Sequence, residues 1–140
     1  MAFFTPVFHF GGQCAEAMAF YAQALGGRIN CRMTYAEADP ADCAARPEAE
    51  ALIYHAEMEI FGQRFMMADD LDVPYQPSSA MFLNVTFETK EEVRAAFDAL
   101  SAGAQTVIYA PRTTAYSSCH SSLVDRFGIR WTLMTEQTER

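Results

Sequence analysis

The sequence is short of basic residues and of long apolar runs. It carries 10 Lys and Arg against 18 Asp and Glu, which gives a formal net charge of −8. An acidic surface repels phosphate backbones, so we expect no nucleic-acid partner. No stretch of 18 apolar residues occurs, so neither a membrane span nor a membrane partner is predicted. The opening segment MAFFTPVFHF has no basic region and no long apolar core. It is therefore not a signal peptide, and we expect a cytoplasmic protein.

Several motifs that carry chemistry are also missing. The cysteines, Cys14, Cys31, Cys43 and Cys119, form no CxxC pair and no metal-type spacing, so we expect reduced thiols. Cys14 or Cys119 could still be a nucleophile, although the sequence offers no base for either. The absence of GxSxG, GxGxxG and P-loop patterns gives no support to a hydrolase triad or a nucleotide cofactor. No Gly-rich strand–helix turn suited to S-adenosylmethionine is visible, and no cofactor is predicted.

What the chain does contain is a repeat. Its 140 residues are 51% hydrophobic, enough for the core of one domain. FGQRFMM at 61–67 returns as FGIRWTL at 127–133, an offset of 66. Earlier in the chain the offset is 76, which aligns Ala17 with Val93 and Tyr21 with Phe97. The offset falls by ten where an Ala-, Asp- and Glu-rich segment, about 36–51, interrupts the first half. We interpret that segment as a solvated loop inserted into one of two related modules.

The element order supports this interpretation. Period-two alternation and turn residues predict strands, whereas apolar residues at helical spacing predict helices after Gly12 and after Thr89. Gly26-Gly27 should end the first helix, and Thr89 should cap the second. The predicted fold class is α+β, with two βαβββ modules, about 1–75 and 80–140, in a single domain. The predicted segments are strands at 4–10, 28–35, 52–60, 64–68, 80–87, 105–111 and 129–134, helices at 11–27 and 88–103, a polar loop at 112–122, and SLVDRF completing the second module.

Three segments resemble the vicinal oxygen chelate superfamily of glyoxalases, bleomycin-resistance proteins and extradiol dioxygenases. They are TPVFHFGGQCAEAMAFYAQALGG near the start, HAEMEIFGQRFMMADD in the middle, and TAYSSCHSSLVDRFGIRWTL at the end. More narrowly the chain resembles the PhnB-like, or 3-demethylubiquinone methyltransferase-like, branch. The resemblance implies curled mixed sheets with helices on the convex side and a pocket on the concave side. It also implies a homodimer.

The resemblance implies four positions for a catalytic metal, on the first and last strand of each module. By spacing they are Pro6, Met66, Phe82 and Thr132. Catalytic divalent metals bind imidazole or carboxylate, and none of these residues supplies either group. No metal is therefore predicted there.

The same face could instead bind a small molecule. Alternation points Met66, Phe82, Asn84 and Thr132 into the cavity, and points Phe65, Met67, Trp131 and Leu133 toward the helices. Asn84 would then be a buried amide in need of a partner, which favours a ligand over a filled core. By resemblance, Tyr116 and His120 lie in a loop near the pocket, as a stacking side chain and a proton donor. The alternative is a Ser- and Thr-rich surface loop. The predicted ligand-binding residues are Phe8, His55, Met66, Phe82, Asn84, Tyr116, His120 and Thr132.

Acid–base or metal chemistry has its own candidates. His55, Glu57 and Glu59 share one strand face, and His55 could act as an acid or base with Glu57 setting its protonation. Successive side chains on that face are about 7 Å apart, so one strand alone should not close a metal site. The catalytic candidates are His55, Glu57 and His120. Asp69 and Asp70 are either a contact at the pocket mouth or turn residues.

The sequence therefore predicts a glyoxalase- or bleomycin-resistance-like protein that binds a small, partly apolar or aromatic molecule without a metal. The alternative is a metal-dependent lyase, isomerase or dioxygenase with non-standard ligands drawn from His9, His55, Glu57 and His120.

Overall fold

The computed structural model describes residues 1–136, and these fall into two compact units, Met1–Tyr75 and a second that begins at Gln76. Each unit has the order βαβββ, which confirms the predicted fold class. Unit 1 contains β1 Val7–Phe10, α1 Cys14–Leu25, β2 Arg28–Thr34, β3 Ile53–Ile60 and β4 Gln63–Asp69. Unit 2 contains β5 Leu83–Phe87, α2 Lys90–Leu100, β6 Thr106–Arg112, β7 His120–Val124 and β8 Arg130–Thr135. That the two units form one domain stays a prediction.

The unit 1 sheet has the order β1-β4-β3-β2, with β1 parallel to β4 and the other pairs antiparallel. Its core lies between the sheet and α1. The Phe8 ring meets the Tyr21 ring of α1 edge-on at 6.1 Å, and Met58 and Met67 are completely buried. The helix ends where Gly26 takes the left-handed conformation, at φ 68°, as the glycine pair predicts.

The unit 2 sheet repeats this topology as β5-β8-β7-β6. A reciprocal capping box between Thr89 and Glu92 fixes the start of α2. Alternate residues of the strands point toward the helix and are apolar and buried, among them Leu123, Trp131 and Leu133. Val93 and Leu100 of the helix are buried as well. In both units the alternation therefore gives one apolar face that packs under the helix.

The repeated Phe-Gly pair lies in the last turn of each unit. Phe61 and Gly62 have φ values of 50° and 77° and form the two-residue turn between β3 and β4. Gly128 also has positive φ, 88°, but the β7–β8 turn is longer. The glycines thus share a backbone role, whereas Phe61 is exposed and Phe127 is buried. Glycine suits positions 62 and 128 because residues that carry a side chain rarely adopt positive φ.

The strand register corrects the predicted alignment of the first strands. Val7 lies beside Met66 in unit 1, and Asn84 lies beside Thr132 in unit 2. Since Met66 and Thr132 are 66 residues apart, the first strands align at an offset of 77, not 76. The residues equivalent to each other are therefore Val7 and Asn84, in place of Pro6 and Phe82.

Two loops differ in character. Residues 35–52 join β2 to β3 through turns and a short 3₁₀ helix, Pro47–Ala49, with most side chains exposed. The predicted polar surface loop before β7 is wrong in part, because Ser117, Ser118 and Cys119 are buried. His120 is also not a loop residue but the first residue of β7.

Within residues 1–136, no helix has the length and apolar character needed to cross a membrane.

Candidate functional site

Each sheet has a face directed away from its helix, which we call the helix-free face. Cross-strand pairing places Val7, Met66, Glu57 and Cys31 in one row on this face of unit 1. The equivalent row in unit 2 is Asn84, Thr132, Ser122 and Tyr109. Apolar and acidic side chains of unit 1 thus correspond to amide and hydroxyl side chains of unit 2.

The metal positions implied by the resemblance do not suit a catalytic metal in this chain. After correction of the register they are Val7, Met66, Asn84 and Thr132. Only an amide and a hydroxyl offer oxygen, and neither imidazole nor carboxylate is present. Thr132 Oγ1 faces Ser122 Oγ at 3.5 Å. The donor set at these four positions supports no metal-dependent step.

His120 is the centre of a polar and aromatic group on unit 2. Its ring lies 5.6 Å from that of Tyr116, nearly perpendicular, and 6.1 Å from that of Tyr109. The side chain is buried, and Nδ1 has no hydrogen-bond partner among residues 1–136. Burial, with a smaller contribution from the Arg112 charge, lowers the pKa of His120 below its ordinary 6.5. A neutral imidazole is therefore expected at pH 7, able to accept or donate one hydrogen bond at Nδ1 according to its tautomer.

Arg130 lies on the same face, at the first position of β8. Its guanidinium sits 4.2 Å from the centre of the Phe82 ring, and one terminal nitrogen donates to the Ser79 carbonyl at 3.4 Å. The Nε atom is buried and has no hydrogen-bond partner in the described part of the chain. Among residues 1–136, Arg130 Nε and His120 Nδ1 are the buried side-chain polar atoms that lack a partner. Both belong to the helix-free face of unit 2.

A hydroxyl network anchors the loop that carries Tyr116. Thr135 Oγ1 contacts Ser118 Oγ at 2.6 Å and Ser117 Oγ at 3.1 Å, and accepts from the Cys119 backbone at 3.2 Å. The loop is thereby joined to the end of β8, and the exposed Tyr116 side chain extends beside His120. The serine hydroxyls of this loop therefore form hydrogen bonds within unit 2, a role that the sequence did not predict.

Three other predicted ligand residues lie in different surroundings. Asn84 is exposed, and its amide donates to Thr86 at 3.1 Å, so the argument that it is a buried amide is wrong. Phe8 packs against Phe10, Tyr21 and Phe65 under α1, and this core position removes it from the helix-free face. Met66 is half-buried on that face of unit 1.

His55 and Glu57 meet, contrary to the separation expected along one strand. His55 Nε2 lies 3.3 Å from Glu57 Oε2, and Cys31 Sγ on the neighbouring strand lies 3.7 Å from the same oxygen. Arg64 holds the other oxygen, Oε1. Hydrogen bonds from Arg64, and then from His55, lower the pKa of Glu57 to about 2. Sequence reasoning missed Cys31, which only the β2–β3 register identifies as the neighbour of Glu57.

The remaining polar candidates have structural partners. Buried Asp69 accepts hydrogen bonds from the backbone of Gly12, Cys14 and Ile53 at 2.9–3.0 Å. It thereby satisfies amides at the start of α1 and fixes β3. Asp70 caps the turn at residues 72 and 73 and lies 3.1 Å from His9. These contacts favour the turn interpretation for Asp70 only, because Asp69 is the last residue of β4 and its carboxylate joins that strand to α1 and β3.

Comparison with known proteins agrees with the resemblance. A family model described as 3-demethylubiquinone-9 3-methyltransferase matches residues 2–134. Protein YjdN of Escherichia coli K12 is 26% identical over 134 residues, which are 91% of this chain and 90% of that protein.

Solved structures share the fold over nearly the whole chain. A PhnB protein from Bacillus cereus is 27% identical, with a TM-score of 0.80 and coverage of 96% of this chain and 99% of that one. Protein PA1353 of Pseudomonas aeruginosa is 25% identical, with a TM-score of 0.83 and coverage of 98% and 99%. The fosfomycin resistance protein FosX of Listeria monocytogenes, 11% identical over 97% of this chain and 94% of its own with a TM-score of 0.68, shares the fold alone. The family model and the PhnB structure confirm the predicted PhnB-like branch.

Proposed function

We propose that this chain, which belongs to the 3-demethylubiquinone-9 3-methyltransferase family, binds a small, partly apolar or aromatic molecule. The binding site is the helix-free face of unit 2, and no metal takes part. The observation that carries this proposal is the buried and unpartnered Nδ1 of His120 between two tyrosine rings. A buried polar atom without a partner costs roughly 1–3 kcal/mol, which a bound group would recover.

The composition of the face defines the ligand class. Tyr109, Tyr116 and Phe82 offer ring faces and edges, against which a planar molecule can stack. Arg130 Nε offers a donor, so the ligand should carry an oxygen acceptor there. Ser122 and Thr132 add small hydroxyl groups between His120 and Arg130 along the strands. Quinones and aromatic antibiotics combine a planar apolar body with carbonyl or hydroxyl oxygens, and they fit this description.

A thermal-shift screen tests the proposal. The protein is heated with quinones and aromatic antibiotics in a chelating buffer, so that no metal contributes. A ligand at one hundred times its Kd stabilises the fold by about 2.7 kcal/mol, which raises the Tm by on the order of 10 °C for a chain of this size.

Matched histidine variants locate the effect. His55 and His120 are equivalent in the two repeats, because each lies two residues before the residue that pairs with Met66 or Thr132. We expect His120→Gln to abolish the ligand-dependent shift and His55→Gln to keep it. No shift with any compound, or an equal shift in both variants, would contradict the proposal.

We also propose that the protein is a homodimer. Large apolar side chains are exposed just before the edge strands β1 and β5, namely Phe3, Phe4, Met81 and Phe82. Exposed apolar groups of this kind are typical of a surface covered by another chain. Light scattering after gel filtration should give twice the 15.6 kDa chain mass, whereas the mass of one chain at micromolar concentration would contradict a stable dimer.

A further inference from the structure

We propose that Cys31, His55 and Glu57 form a binding site for a zinc-class transition-metal ion on the helix-free face of unit 1, distinct from the ligand face of unit 2. Among residues 1–136 these are the group of three potential ligands whose donor atoms all lie within 4.8 Å of one another. The site does not use the first- and last-strand positions, and it implies no reaction.

The donor geometry already approximates a coordination polyhedron. With Zn–S near 2.3 Å and Zn–N and Zn–O near 2.0–2.2 Å, tetrahedral coordination separates donor atoms by roughly 3.3–3.7 Å. Glu57 Oε2 is 3.3 Å from His55 Nε2 and 3.7 Å from Cys31 Sγ. Two of the three edges therefore have the required length, and small side-chain rotations close the third.

The three residues lie on two hydrogen-bonded strands, β2 and β3, whose register shifts between Ile29 and Cys31 and between Met33 and Thr34. Cys31 of β2 lies opposite Glu57 of β3 in the antiparallel ladder, and His55 is two residues earlier on β3, on the same face. Backbone hydrogen bonding thus fixes the spacing of the ligands, and only side-chain torsions remain to be adjusted. All three side chains are exposed or half-buried, so an ion can enter from solvent.

Arg64 positions the carboxylate. It donates through Nε to Glu57 Oε1, which leaves Oε2 for the ion. Hydrogen bonding to a ligating carboxylate from a neighbouring residue is a regular feature of metal sites. Binding would displace the thiol proton of Cys31, and the imidazole would take the tautomer with its proton on Nδ1. Thiolate and carboxylate then balance the two positive charges of the ion, and the fourth position remains for water.

Titration with Co²⁺ and Zn²⁺ tests the site on the full-length, metal-stripped protein at neutral pH. We expect one equivalent of Co²⁺ to give a near-ultraviolet thiolate-to-cobalt absorption band, and Zn²⁺ to displace it. Cys31→Ser should abolish the band, and His55→Gln and Glu57→Gln should each weaken binding at least tenfold. Cys43→Ser and His120→Gln are the matched controls and should bind as the wild type does.

Circular dichroism establishes that each variant is folded, which is expected because the three side chains are not core residues. As an independent readout, Zn²⁺ should protect Cys31 from alkylation. The absence of a thiolate band, or a band that persists in Cys31→Ser, would overturn the inference. The small-molecule proposal is unaffected by either result, because it is tested in a chelating buffer through His120.

Discussion

Arg64 and Arg130 occupy the same position in the two repeats, each following the Gly of the Phe-Gly pair by two residues, yet they have different partners. Arg64 pairs with Glu57, whereas Arg130 lies over the Phe82 ring with its Nε unpartnered. The residue equivalent to Glu57 in the strand ladder is Ser122, which cannot neutralise an arginine. Arg64 is thus neutralised by a carboxylate of its own unit, whereas the equivalent arginine of unit 2 has no carboxylate at the corresponding position.

The Arg64–Glu57 contact should be visible in the titration of the carboxyl group. The hydrogen bond from Arg64 is the largest cause of the low pKa of Glu57. Arg64→Gln should therefore raise that pKa from about 2 toward its ordinary 4.5. Carbon-detected NMR of the side-chain carboxyl in metal-free protein measures the shift. Arg28→Gln is the control, since Arg28 pairs with Glu59 instead. A Glu57 pKa that is unchanged in Arg64→Gln would show that the contact is not formed in solution.

His120 predicts how stability depends on pH. Its pKa is lower in the folded protein than the usual 6.5, so below pH 6.5 the unfolded chain binds more protons. The stability that the neutral imidazole contributes is complete above 6.5 and is lost as the pH falls from 6.5 through the lowered pKa. Urea unfolding between about pH 7.5 and 5 should show a shallower decline in His120→Gln than in wild type. Equal declines in the two proteins would contradict the burial of His120; His9→Gln serves as the control because His9 is exposed.

Asp69 should be important for stability rather than for binding. Its carboxylate satisfies three backbone amides, and each buried donor left without a partner costs roughly 1–3 kcal/mol. Asp69→Ala should therefore lower the free energy of unfolding by about 3 kcal/mol or more. Asp98→Ala on α2 is a surface control, expected to stay within about 0.5 kcal/mol of wild type. Equal unfolding midpoints for both variants would refute this role.

The four thiols should separate into two classes. Cys14 and Cys119 are buried, and burial, with the Asp69 charge as a smaller cause, raises the pKa of Cys14 to about 12. Cys31 is exposed and Cys43 half-buried, so these two should react with a disulfide reagent in the native protein. The other two should react only after unfolding. Rapid reaction of Cys14 in native protein would be inconsistent with the packed first turn of α1.

Much of the fold could be predicted from the sequence because its signals are local. The capping pair Thr89 and Glu92, the left-handed Gly26 and the Phe61-Gly62 turn each act within a few residues. The 66-residue offset also aligns Asp69 with Thr135, and both side chains accept a hydrogen bond from a backbone N–H. The donor is Ile53 for Asp69 and Cys119 for Thr135. A repeat that changes residue type while keeping its role is hard to detect from residue identity alone.

The candidate site was less predictable because it depends on register and depth. Alternation gives the face of a strand residue but not its burial, so Asn84 was expected to be buried although β5 is an edge strand. The edge strand β1 was misaligned by one residue, since little but its pairing with β4 distinguishes Val7 from Pro6. The pairing of Cys31 with Glu57 depends on the register of the β2–β3 ladder. That ladder contains register shifts on both sides of Cys31, which strand alternation does not predict.

The most direct test of ligand binding on unit 2 is the ¹⁵N NMR spectrum of the imidazole groups with and without the strongest thermal-shift ligand, recorded in a chelating buffer. The chain has three histidines, and the three His→Gln variants assign their signals. We predict that ligand binding shifts the Nδ1 signal of His120 and leaves the His9 and His55 signals in place. Saturation with ligand while the His120 signals stay unmoved would contradict the account.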